Sequence, residues 1–174
     1  MQRIAKRLKI KLNNEGICKT YIKAKSMKKL NKSKIPRATT PLERVFMDFW
    51  GPHSKGISGA SYYLSIVDDA TRFSWIFMMD NRQMITMQEI ITQWMKRQER
   101  ELKQLVVNIQ LNNAKEFVAL KPWAEDQGID LEFTETYTPS QNGVAERLNK
   151  TLLEIARSLL LGMNILKRFW PYVI

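Results

Sequence analysis

The chain has 174 residues, 44% of them hydrophobic, which suits one core-bearing domain with an appendage and excludes a wholly disordered protein. Its formal net charge of +11 is concentrated at one end: residues 1–40 hold 13 Lys and Arg against the single acid Glu15, whereas residues 41–174 hold 15 against 16. One cysteine, Cys18, excludes an internal disulfide and fits a reducing compartment.

The opening MQRIAKRLKIKL is basic and helical in pattern, without the apolar run and small-residue cleavage site of a secretory peptide. No uncharged stretch approaches the roughly 18 apolar residues needed to cross a bilayer. The expectation is a soluble protein of the nucleus or cytoplasm, neither secreted nor membrane-bound. Residues 19–41, KTYIKAKSMKKLNKSKIPRATTP, are rich in Lys, Ser and Thr and poor in core-forming residues. They read as a basic arm, so the expected domains are an arm over 1–40 and a core over 41–174. A charge run can be merely a solvated face; phosphate contact is the favoured use.

Past Pro41 the texture changes to short apolar runs: RVFMDFW (44–50), YYLSIV (62–67) and SWIFMM (74–79). Turns over 51–59 and 68–72 separate them, and three antiparallel strands follow. Over 84–105 Met84, Met87, Ile91 and Trp94 recur at helical spacing, flanked by Ile90 and Met95. That stripe is a core face. LVVNIQL (105–111) predicts a fourth strand, ending on Asn112-Asn113, and a short helix over 121–127 closes at Gly128. IDLEFT (129–134) predicts a fifth strand. The last helix carries Val144, Leu148, Leu152, Ile155, Ala156 and Leu159 on one stripe and stops at Gly162. The order β-β-β-α-β-α-β-α implies an α/β fold with a mixed sheet flanked by helices.

Particular residues narrow that choice. TPSQNGVAERLNKT (138–151) resembles the TPxxNGVAER block of integrases of copia-type LTR retrotransposons. PLERVFMDFWGP (41–52) is similar to that family's first catalytic strand, YYLSIVDDATRFSWIFMM (62–79) to its second and third, and NIQLNNAKEF (108–117) to the segment in which a strand ends on Asp-Asn before a turn. The resemblance covers roughly residues 18–173. It implies an RNase H-like five-stranded mixed sheet, three antiparallel strands followed by parallel ones, and the chemistry of a metal-dependent DNA strand transferase.

Phosphodiester cleavage and strand transfer need an activated oxygen nucleophile and a stabilised leaving oxygen, which two divalent ions about 3.5–4 Å apart provide. Mg²⁺ or Mn²⁺ is the cofactor the family implies, held by three carboxylates. By resemblance the first is Asp48, a charge inside an apolar strand, where a strand-end cap is the alternative. The third is Glu146, although an acid in a first helical turn also answers the helix dipole, worth roughly 0.3–1 kcal/mol. The second position is held by Asn112, whose single neutral carbonyl oxygen cannot neutralise or bridge cations. Asn113 is also an amide, while Asp68 and Asp69 read as turn formers.

The family also carries a His-His-Cys-Cys zinc module ahead of its core. Here only Cys18 remains of it, with Tyr21 at the other cysteine position and no preceding His, so zinc is not expected. His53, the only histidine, reads as a loop residue. LKRFWPYVI (166–174) resembles the segment following the family's catalytic helix, and the chain reads as a truncated remnant. Nucleic-acid contacts are expected from Lys19, Lys23, Lys25, Lys28 and Lys29 in the arm, and from Lys115, Asn142, Arg147 and Lys150 in the core. The functional expectation is an integrase-like domain of a transposable element that binds DNA, with RNA as an alternative, and is catalytically impaired at Asn112. A non-catalytic nucleic-acid-binding module or a homodimerising remnant is the other reading.

Overall fold

A computed structural model describes residues 36–134 and 142–174; the arm lysines, Cys18 and Tyr21, and the start of the TPSQNG block lie outside them. Five strands form one sheet in the order β3-β2-β1-β4-β5. They are β1 Arg44–Trp50, β2 Tyr62–Asp68, β3 Ser74–Met79, β4 Asn108–Leu111 and β5 Asp130–Phe133. β1, β2 and β3 pair antiparallel, whereas β4 runs parallel to β1 and β5 parallel to β4. The sheet is therefore mixed, as expected.

Alternation along β1 sorts its side chains to two faces. Val45 and Met47 are buried, and Phe49 packs, on the face where Leu64, Ile66, Ile109 and Leu111 meet helix α1 (Met84–Leu102). Met87, Ile91, Trp94 and Met95 turn inward from α1, and burying each such side chain contributes about 1.5–3 kcal/mol. Met84, expected on that stripe, is exposed at the first turn. Two short helices complete this layer, α2 (Lys115–Val118) through Phe117 and α3 (Lys121–Gln127) through Ala124. On the opposite face Phe46 and Val67 pack on Ala145 of α4 (Gly143–Gly162). Tyr63 and Trp170 pack there with Trp50 and Ile76, Trp170 coming from a 3₁₀ helix over Lys167–Tyr172.

Several boundaries differ from the sequence reading. α1 stops at Leu102 because Lys103 takes a left-handed conformation (φ 56°) whose N–H caps the carbonyl of Glu99. β4 begins at Asn108, three residues later than expected. Just before it, Val107 bonds Leu42, and Asp130 donates to the Val107 carbonyl, outside the regular ladder. α2 was not foreseen; four residues are too few to show a period.

The last helix keeps part of its expected stripe, since Val144 and Leu148 pack on Phe46 and Val67 and Ala156 is buried, but departs from it elsewhere. Ile155 is 49% and Leu159 41% exposed, while Ala145, Asn149 and Ala156 are buried. Small side chains let the helix lie close on β1 and β2, so the larger residues turn to its flanks and outward.

Lys34–Ile174 forms one compact unit. Residues 36–40 are fastened to the core. Arg37 donates to the carbonyls of Asp69 and Ala70, and the Ala38 N–H donates to Asp69 Oδ2 at 2.8 Å. Among the described residues no helix is long and apolar enough to cross a membrane.

Candidate functional site

Asp48 is the fifth residue of β1, on the sheet face covered by α4, and is 9% exposed. Three N–H groups converge on its carboxylate. Oδ1 accepts from the Phe49 backbone at 2.9 Å and from Asn112 Nδ2 at 3.0 Å; Oδ2 accepts from Asn149 Nδ2 at 3.0 Å. Burial pushes the carboxyl up to about 6; the Phe49 N–H and the Asn149 amide pull it down, the charge of Glu146 raises it, and Arg82 opposes that rise.

Asn112 follows β4, and the parallel pairing of β1 with β4 brings it beside Asp48. Its amide is committed at both ends, since Oδ1 accepts the N–H of Ala114 at 3.0 Å while Nδ2 faces Asp48. The carbonyl closes an Asx-type turn into α2. Asn113 does different work: its amide donates to the Thr134 carbonyl and ties this turn to the end of β5.

Glu146 stands in the first turn of α4, is exposed, and raises the Asp48 carboxyl through its charge. The fold thus gathers Asp48, Asn112 and Glu146 at one place from three elements. Among the described residues no group of three or more His, Cys, Asp or Glu is placed to hold a metal ion. The donor set does not fit a pair of divalent cations: both Asp48 oxygens face N–H hydrogens, and the only Asn112 oxygen bonds the backbone. An N–H donor repels a cation where a carboxylate would coordinate one.

Asp68 and Asp69 serve the β2–β3 turn and the entry to the core. Asp68 accepts from the Leu42 backbone at 2.8 Å and from the Thr71 N–H and hydroxyl at 2.7 and 2.6 Å. Asp69 pairs with Arg72 at 2.8 Å and Arg44 at 3.2 Å. His53 stacks on Trp50, with ring centroids 5.2 Å apart, and lies against Trp170. It is a packing residue of its loop.

Of the expected nucleic-acid contacts, Lys115, Arg147 and Lys150 are exposed, Lys115 opening α2 and the other two on α4. A β-carbon at Gly143 would lie 3.1 Å from Arg147 Nη1, so the glycine leaves room for that guanidinium to fold over the helix start. Asn142 departs from the expectation. It is 2% exposed and donates to the Met47 carbonyl at 3.3 Å, which fastens the start of α4 to β1 and turns the amide away from solvent.

Two residues at the site escaped sequence reading. Asn149 lies one helical turn after Ala145, and only that spacing, which puts both on the sheet-facing side, could have drawn attention to an amide in a polar-looking run. Arg82, between β3 and α1, lies over the rings of Phe49 and Tyr62, its guanidinium carbon 5.2 and 6.0 Å from their centroids. Nothing in the linear pattern marks it, because the rings come from other strands.

No family model matches the chain. Over 150 residues, 82% of its length, it is 27% identical to the retrovirus-related Pol polyprotein from transposon RE2 of Arabidopsis thaliana. Over 140 residues, 79% of its length, it is 28% identical to the transposon Ty1-DR4 Gag-Pol polyprotein of Saccharomyces cerevisiae. The chain spans about a tenth of the length of the curated relatives it matches. Among solved structures, the catalytic core domain of BIV integrase superposes with a TM-score of 0.52 at 16% identity, over 69% of this chain and 72% of that one. A chain of a simian T-cell lymphotropic virus intasome, solved with PP2A regulatory subunit B56 gamma, gives 0.59 at 14% identity, over 80% of this chain and 49% of the other. The sheet order, the placing of Asp48 beside Asn112 and Glu146, and these relatives converge: the chain is homologous to a segment of retrotransposon Pol polyproteins and is built on the RNase H-like fold of integrase catalytic cores.

Proposed function

We propose that this domain binds nucleic acid through its basic arm and the rim of the Asp48 site, and that its phosphoryl-transfer centre is impaired. The observation that carries the second half is the bond from Asn112 Nδ2 to Asp48 Oδ1 at 3.0 Å. A carboxylate at position 112 would face Asp48 as a second anion and need a cation between them. The amide instead satisfies Asp48 directly, so the pair is stable without metal. Support for the first half is the homology to Pol polyproteins, the intasome neighbour, and the 13 basic residues packed into residues 1–40.

The deciding experiment is a titration with Mn²⁺ or Mg²⁺ read by calorimetry and by thermal unfolding, on the wild type and on Asn112→Asp. The wild type is expected to bind no metal at this site and to unfold at an unchanged temperature. Asn112→Asp should be less stable than wild type in EDTA and be stabilised by Mn²⁺, since a ligand that binds only the folded state raises its apparent stability. Saturable two-ion binding by the wild type would overturn the impairment, as would metal-dependent nicking of DNA that Asp48→Asn abolishes.

A further inference from the structure

Arg82 is placed unlike the other arginines of the core. Its guanidinium lies over Phe49 and Tyr62, and Nε is 3.2 Å from Glu116 Oε1 in α2. That approach is off-line for a hydrogen bond; the buried Nε has no hydrogen-bond partner among the described residues. Phe49, the floor of this arrangement, follows Asp48 in sequence, gives its N–H to Asp48 Oδ1, and stacks on Phe117 at 5.2 Å. The Arg82 side chain is 31% exposed.

Guanidinium is a planar fork of five N–H donors, suited to two-point contact with phosphate oxygens. Here one edge leans on a single carboxylate oxygen, and among the described residues the four Nη hydrogens have no hydrogen-bond partner, which leaves them for a ligand. Two rings and Glu116 hold the plane in place beforehand, so little side-chain freedom is lost when an anion arrives. An approaching phosphate also meets the negative charge of Asp48, which Glu146 reinforces and Arg82 opposes. A fixed cation beside Phe49 answers that repulsion.

We propose that Arg82 binds a backbone phosphate of a nucleic acid lying across the Asp48 site, with Phe49 and Tyr62 orienting its guanidinium and Glu116 tempering its affinity. This rests on the nucleic-acid-binding reading above. The contact is to phosphate, so it acts on any base sequence alike.

The test uses the full chain and a fluorescently labelled DNA duplex, with anisotropy followed over a salt series in EDTA. Wild-type affinity should fall steeply with salt. Arg82→Gln should weaken binding several-fold and make the log–log salt slope shallower by about 0.9, the signature of one lost phosphate contact. Arg82→Lys should keep the slope and lose affinity, while Glu116→Gln should tighten binding. Arg97→Gln, whose parent pairs with Glu101 on the outside of α1, should match the wild type. Should Arg82→Gln unfold, Arg82→Lys and Glu116→Gln carry the test alone. An unchanged slope in a folded Arg82→Gln, or no tightening by Glu116→Gln, would overturn the role of Arg82. Salt-independent or absent binding by the wild type would instead remove the nucleic-acid reading itself.

Discussion

At Asp48 burial and hydrogen bonding pull in opposite directions, and burial wins: the carboxyl stands at about 6 against an ordinary 3.8. Because the folded chain holds this proton over a range where the unfolded chain has released it, stability falls as pH rises from about 4 to about 6. The ionised carboxylate costs about 3 kcal/mol above that window, and the cost is relieved below it. Asp48→Asn should lose this component of the pH profile whatever its absolute stability, as urea unfolding across the window will check. Asn149→Ala removes the donor to Oδ2, leaving a buried carboxylate oxygen unpaired at a cost of about 1–3 kcal/mol. That cost should be larger near pH 8, where the carboxylate is charged, than near pH 5. The nearby Tyr63 hydroxyl is likewise pushed up, by burial and then by the charge of Asp48. At this scale Asp48, Asn112 and Glu146 were legible because neighbouring residues carry a family resemblance. Asn149 and Arg82 were not, since their meaning arises only when α4 and the β3–α1 connection close over β1.

Among the elements, β1 and β3 were legible to the residue because each lies between turns and alternates or runs apolar for its whole length. α4 shows the limit of that approach. Counting apolar residues finds Ala156 but misses Ala145 and Asn149 and wrongly adds Ile155 and Leu159, because close approach to the sheet favours small side chains over large ones. Ala156→Leu should therefore overpack the contact and cost about 1–3 kcal/mol. Leu159→Lys, on the exposed side, should change stability by about 0.5 kcal/mol or less. The opposite ranking in denaturant unfolding would return α4 to the orientation its apolar stripe suggests. The 3₁₀ helix could be read only as a family-like segment. Its role became visible once Trp170 was found buried, giving its indole N–H to the Ser54 carbonyl at 2.9 Å.

For the whole molecule, charge and chemistry are assigned to different parts of the chain. Residues 41–174 are nearly neutral in sum, so under the proposed function the arm would draw a nucleic acid and the core would add a few placed cations. A chain beginning at Pro36 should keep the stability of the core and lose most of its DNA affinity. Its salt slope should become shallower by about 0.9 for every phosphate the arm had contacted, measured by the same anisotropy series. An unchanged slope would move the binding surface onto the core. The mixed sheet was legible as a whole because hairpin-linked strands followed by alternating helices and strands leave few topologies open. Composition registers lysines but not the hydrogen bonds that tie Arg37 and Ala38 to Asp69.

Those bonds bear on how the domain can be shortened or fused. A cut at Pro41, where the composition changes, would strip Arg37 and the Ala38 N–H from Asp69, leaving a carboxylate that is 3% exposed to Arg44 and Arg72 alone. Leu42, whose N–H Asp68 holds, would become part of a frayed terminus at the entrance to β1. The natural seam lies ahead of Pro36, and a graft or protease site placed there spares both aspartates.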